Sequence, residues 1–211
     1  MNKTIRFSVM LAAILGTALL PCPPQASAQN AAKAAPASSI DLGISYTAKM
    51  AKISQLSNST FVLNGGALDG VYWLNGRQGR LGKLGLAFDL SGEVASNIEP
   101  GINLDQIEAV FGPRYVLWRG KRAGVKPDLY AQGMIGFVDA FNSVFPVPGQ
   151  SAVQAHAGSM AAQMGAGFDW PVKKNMSWRA IEADYIFTHL PNNANTYQGD
   201  LRLSTGLVFH F

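Results

Sequence analysis

The sequence predicts an all-β protein, an eight-stranded antiparallel up-and-down sheet closed into a transmembrane β-barrel. Three observations carry that expectation. From residue 40 onward apolar side chains recur at every second position in eight separate runs, the period of a strand whose side chains alternate between two faces. Beyond residue 28 no run of eighteen apolar residues occurs, so α-helical spans are excluded. Only 14% of the 211 residues are charged and 48% are hydrophobic, whereas about a quarter of a soluble domain is charged. That shortage points to a surface partly out of water.

At the N-terminus, Lys3 and Arg6 precede an apolar run from Phe7 to Leu20, and Pro21 and Ala26-Ser27-Ala28 follow. A basic start, a short apolar core and a small-x-small cleavage site predict a secretory signal peptide over residues 1–28. The run is 14 residues long, short of the roughly 20 that a spanning helix needs. Cys22, the only cysteine, lies inside this segment and follows Pro21, where a lipidated cysteine wants a small residue, so lipidation, disulfides and thiolate metal sites are not expected. Removing Lys3 and Arg6 lowers the formal charge from +4 to +2, which gives no support to a nucleic-acid partner. Residues 29–39, rich in Ala, Ser and Pro, read as a flexible lead-in. The barrel is expected over 40–211.

Ile40 to Met50 alternates cleanly and gives the first strand; Ala67 to Leu74 gives the second, and Asn75-Gly76-Arg77-Gln78-Gly79-Arg80 a tight reversal. Leu84 to Val94 is the third. The fourth, Glu108 to Leu117, contains Pro113, which cannot donate to a ladder and is expected to mark a bulge or bend. Tyr130 to Phe137 is the fifth strand, and 140–158, with Pro146 and Pro148, reads as the longest connection in the chain. The sixth strand spans Met160 to Trp170 and the seventh Trp178 to Thr188. Leu201 to Phe211 is the eighth, and it runs to the last residue, so it is expected to find its partners upstream and close the sheet on the first strand.

Alternation defines two faces without saying which is outside. One carries Leu, Ile, Phe, Tyr, Trp and Met and would overfill a narrow eight-stranded interior. The other carries Asp41, Asp69, Asp89, Glu93, Glu108, Asp169, Glu182 and Asp184 with Lys49, Arg114, Arg202, Gln132 and Gln163. The apolar face is therefore assigned to lipid, and Asp69, Asp89, Glu93, Glu108, Arg114, Asp169, Glu182, Asp184 and Arg202 to an ion-paired network filling the lumen. Tyr46, Tyr115, Trp170, Phe187 and Phe211, read as lying near strand ends, suit interfacial girdles. Both ends of the chain then lie on the periplasmic side, and the shorter connections are expected there. Nine basic residues (Arg77, Arg80, Lys83, Arg119, Lys121, Arg122, Lys126, Lys173 and Lys174) fall in or beside those turns, placed to meet anionic headgroups or to stay solvated.

Ser204, Gly206, Phe209 and Phe211 resemble the C-terminal signal that hands outer-membrane barrels to the insertion machinery: a polar residue, a glycine, then two aromatics two apart. With Leu63-Asn64-Gly65-Gly66, Phe111-Gly112-Pro113-Arg114, Ala183-Asp184-Tyr185 and Leu201-Arg202-Leu203-Ser204, the chain resembles the small bacterial outer-membrane β-barrel proteins of the OmpA and OmpX type, the porin-family-like "outer membrane protein beta-barrel domain". The resemblance implies an outer-membrane location, outer-membrane lipid and the insertion machinery as partners, and a monomer. No periplasmic wall-binding domain is expected after the barrel, so wall anchoring is not transferred.

Chemistry is sparse. His156, His189 and His210 stand apart without metal-ligand spacing, and no phosphate loop is present, so no metal, cofactor or catalytic residue is expected. His156 and Ser159 are close in sequence but fall on opposite faces of a regular strand. The function expected is a non-enzymatic outer-membrane barrel, structural or surface-binding through loops 140–158 and 191–198. A narrow channel or hydrophobic-ligand conduit is the alternative, and a lipid A-modifying enzyme the third.

Overall fold

The computed structural model describes residues 39–52, 60–77, 80, 83–99, 101–120, 127–147, 152–191 and 197–211. The expected signal peptide with Cys22, and the lead-in up to residue 38, lie outside the described residues. Eight strands follow in order: β1 Ile40–Lys52, β2 Thr60–Trp73, β3 Leu84–Glu99, β4 Ile102–Arg119, β5 Asp128–Pro146, β6 Val153–Lys173, β7 Met176–Thr188 and β8 Gln198–His210. Each pairs antiparallel with the next, and β8 pairs back onto β1 from Asp41↔His210 to Met50↔Leu201, which closes the barrel. Closure leaves no sheet edge around the ring.

At the seam the Phe211 carbonyl accepts from the Ser39 and Ile40 amides at 2.8 and 3.3 Å, and the Phe211 amide donates to Ile40 O at 2.8 Å. Gly206 sits in this seam because a Cβ there would lie 2.1 Å from Ile44 O. Glycine is what lets β8 approach β1 so closely.

The faces sort as alternation requires. Leu86, Ile181 and Leu207 point outward, at 57%, 52% and 39% exposure, while Asp89, Glu182 and Arg202 are almost wholly buried inside. An aqueous exterior around a greasy interior would be the reverse. One end of the interior, toward the β1–β2, β3–β4, β5–β6 and β7–β8 connections, holds apolar side chains, among them Leu63, Leu104, Val138, Phe145 and Leu190.

Three local expectations are corrected. Pro113 makes no bulge: it lies opposite Leu86 of β3, and the β4–β5 register is the same before it (Phe111↔Ile135) and after it (Arg114↔Gln132). The missing amide is accommodated without an inserted residue, and the true shift in β4 comes between Val116 and Trp118. Residues 140–158 are not one long loop, because 140–146 and 153–158 continue β5 and β6 and only 147–152 connect them. Nor are the connections shorter at the end carrying both termini, since two-residue links occur at each end, 100–101 and 174–175.

Strand length is what distinguishes the two ends. β3 to β6 run to 16, 18, 19 and 21 residues against 13 or 14 for the other four, so one side of the rim opposite the termini stands tall. A tilted strand crosses a bilayer in about 9–11 residues, so β5 and β6 exceed any such span.

Candidate functional site

The interior is built from charges that alternation turns inward on every strand. Near the turn end, Asp69 of β2 accepts a forked pair of hydrogen bonds from Arg179, at 2.7 Å from Nη1 and 3.1 Å from Nη2. Arg179 Nε donates to Asp169 Oδ1 at 3.2 Å. Arg114 donates from Nη1 to Asp69 at 3.4 Å, from Nη2 to Glu182 at 3.3 Å and from Nε to Gln132 Oε1 at 2.7 Å. The Tyr130 hydroxyl donates to Glu182, and its ring carries the Arg114 and Arg179 guanidiniums at 4.3 and 5.6 Å. Planar guanidiniums suit this setting because one group can bridge carboxylates from several strands at fixed angles.

Further along, Arg202 of β8 donates from Nη1 to Asp89 Oδ1 at 3.1 Å and to Ser91 Oγ at 2.9 Å, and from Nη2 to Asp184 Oδ2 at 3.2 Å. Gln132 Nε2 completes Asp184 at 2.8 Å. Beyond this, Lys49 Nζ lies 3.1 Å from both Glu93 and Glu108, with Gln106 Oε1 at 3.2 Å. Side chains thus cross the lumen in successive layers from all eight strands, and every layer joins strands that are not neighbours. An isolated charge in such an interior would be costly; pairing with opposite charge across the lumen is what makes the burial tolerable.

The structure brings Asp69, Asp89, Glu93, Glu108, Arg114, Asp169, Glu182, Asp184 and Arg202 into these layers, Asp169 at their edge. Sequence reasoning missed Arg179. Strict alternation back from Glu182 would turn Arg179 outward, but β7 carries one extra residue against both neighbours: Arg179 pairs with Asp169 and Gly206, then Glu182 with Gly167 and Ser204. The bulge at Ala180 and Ile181 reverses the phase and buries Arg179.

The mouth at the turn end was missed too. There Arg77 Nη1 lies 2.7 Å from Asp41 Oδ2, while its Nη2 donates to Asp128. Arg119 donates to Asp128 from Nε at 2.8 Å and from Nη2 at 3.1 Å, and to the Arg77 carbonyl at 3.0 Å. His210 bridges Asp41 Oδ1 and Ser177 Oγ, each at 2.7 Å, and Trp73 Nε1 donates to Asp41 at 2.6 Å. Arg77 reaches inward because Asn75, Gly76 and Arg77 all take positive φ, at 54°, 54° and 63°. Arg77 and Arg119 therefore neither meet headgroups nor stand in solvent; they close the mouth.

The remaining sequence candidates do not assemble a reacting site. His156 Nε2 lies 2.6 Å from Asp139 Oδ1, both exposed on the projecting β5–β6 hairpin. The Ser159 hydroxyl instead accepts from the His189 amide at 3.1 Å and donates to Met160 O at 3.0 Å. Among the described residues no cluster of His, Cys, Asp and Glu is set to hold a metal. Ser204 and Gly206 face inward and Phe209 and Phe211 outward. Of the aromatics placed at strand ends, Tyr46 instead lies midway along β1, where its hydroxyl donates to Asn64 at 2.6 Å.

No protein-family model matches the chain, and no curated protein matches it by sequence. Solved structures do. Neisserial surface protein A superposes with a TM-score of 0.55 at 16% identity, over 82% of this chain and 98% of that one. The attachment invasion locus protein Ail of Yersinia pestis gives 0.45 at 16% identity, over 82% of this chain and 99% of that one. OprG, an outer-membrane protein of Pseudomonas aeruginosa, gives 0.44 at 8% identity, over 83% of this chain and 97% of that one. At these identities the likeness is one of fold: the chain is a closed eight-stranded antiparallel barrel of the kind found in the small outer-membrane proteins.

Proposed function

We propose that the chain is a non-enzymatic barrel of the bacterial outer membrane, sealed to solutes, that acts structurally or by binding through the rim opposite its termini. The observation that carries this is the sorting of side chains: Ile135 and Phe137 stand outward at 57% and 68% exposure, while Lys49, Glu93 and Arg202 are wholly buried. In water that arrangement would expose apolar area at about 25 cal/mol per Å² while burying charge at further cost. In a bilayer the same surface is solvated by acyl chains and the closed ladder meets the backbone's hydrogen bonds. The signal peptide over residues 1–28 supports export, and Ser204, Gly206, Phe209 and Phe211 form the segment that the insertion machinery would read.

Charge layers, an apolar zone beyond them and the Arg77–Asp128–Arg119 closure at the mouth favour a plug over a channel. For binding, the candidates are the β5–β6 connection 147–152 and the 191–198 connection, of which 148–151 and 192–196 lie outside the described residues. Connections borne on a strand scaffold are the usual setting for recognition.

Planar-bilayer recording tests the seal. Folded protein is expected to leave the membrane without steady unitary currents, and persistent openings of porin size would overturn a closed lumen. Gel migration checks the fold beneath it: boiled and unboiled samples should run differently, and identical migration would contradict a detergent-resistant barrel.

A further inference from the structure

We propose that the turn end of the barrel is a basic collar that binds the headgroups of anionic phospholipids in the leaflet it meets. This rests on the membrane reading above. Arg80, Lys173 and Lys174 are exposed there and Lys83 is half-buried. The carboxylates of this end face the other way: Asp41 and Asp128 hold Arg77 and Arg119 in the mouth, and Asp169 holds Arg179 in the lumen. Among the described residues no acidic side chain faces the outer basic set, and the α-carboxylate of exposed Phe211 is the anion nearest to it. At the opposite end the exposed charge described is acidic, Asp139 with half-buried Asp105, and no described Lys or Arg side chain is exposed.

Depth supports a lipid partner over a solvated face. All four tryptophans lie at the turn end, and Trp118, Trp170 and Trp178 point outward at 53%, 47% and 47% exposure. An outward indole sits where acyl chains give way to headgroups. Lys173 and Lys174 follow Trp170 by three and four residues. At about 3.3 Å of strand rise per residue that places them roughly 10 Å beyond the indole, at headgroup level. A phosphate there meets a rim of basic side chains with no acidic side chain among them, and each basic side chain engaged is worth about 1 kcal/mol, roughly fivefold in affinity. Choline or ethanolamine headgroups bring their own cation and gain less.

The test uses those tryptophans as local probes. Folded protein is placed in phosphatidylcholine vesicles with rising phosphatidylglycerol, one lipid or the other carrying brominated chains, and tryptophan quenching is read. Phosphatidylglycerol is expected to be preferred about fivefold at low salt. The preference should fall toward onefold at about 1 M sodium chloride, where the screening length is about 3 Å, and likewise when Arg80, Lys83, Lys173 and Lys174 are all changed to Gln. Equal quenching by both lipids, unmoved by salt or substitution, would overturn the collar alone. No quenching by either would overturn the membrane reading beneath it. The salt series on the unsubstituted protein decides the matter even if the substituted one fails to fold.

Discussion

Arg202 comes from the last strand yet ties Asp89 and Ser91 of β3 to Asp184 of β7, so one side chain spans the lumen. Arg179 does the same between β2, β6 and β7. Removing one partner of a buried pair leaves the other charge uncompensated, which costs about 3–5 kcal/mol, whereas an exposed ion pair costs at most about 1. Arg202→Ala is therefore expected to lower the unfolding free energy of vesicle-folded protein, read from urea titration, by that amount. Combining it with Asp89→Asn should restore part of the loss, since the two residues share one interaction. Additive losses in that cycle would contradict a cross-lumen pair. Tyr130 shows how such a layer is packed as well as paired, its ring lying against two guanidiniums while its hydroxyl meets Glu182.

Within single elements, β7 is the informative case. Its extra residue lets Arg179 and Glu182 both face inward although they are three apart. Deleting Ala180 would leave Ser177, Arg179 and Glu182 inward by plain alternation, so that variant is expected to fold to the heat-modifiable form. Inserting one alanine after Leu203, in an unbroken part of β8, would send Arg202 or Ser204 to the wrong face and should abolish that form. Folding of both, or of neither, would contradict the bulge. The same element marks what the sequence could tell. Period-two alternation in Leu84 to Val94 or Leu201 to Phe211 needs no partner to be read, so eight strands, their order and their two faces were legible. A bulge leaves no mark in composition, which hid Arg179. Strand ends were also understated: beyond Phe137 the β5 residues Asn142 and Ser143 are polar enough to pass for loop, and they do leave the ladder, but β6 pairs again with Phe145 and Pro146 and carries the strand past them. The mouth cluster depends on the positive φ values at Asn75, Gly76 and Arg77 and on chain closure, neither of which spacing along the chain reveals.

For the whole molecule, charge is segregated twice. Most carboxylates are turned into the lumen, where arginines and Lys49 meet them, and among the described side chains Arg80, Lys83, Lys173 and Lys174 gather outside one end. What is left for the wall is apolar, and the wall is closed, so the barrel has a long apolar girth without a free edge. That surface is stable only against acyl chains, and the lumen is stable only if bulk water stays out of it. Spin labels placed singly along β8 from Leu201 to Phe209, with Cys22 absent, test this most directly in protein folded into bilayers. Oxygen collision rates should alternate residue by residue, high at 201, 203, 205, 207 and 209 and low at 202, 204, 206 and 208. High rates at the even positions, or a water-soluble nickel probe reaching the odd ones, would contradict an acyl-facing exterior around an ion-paired interior.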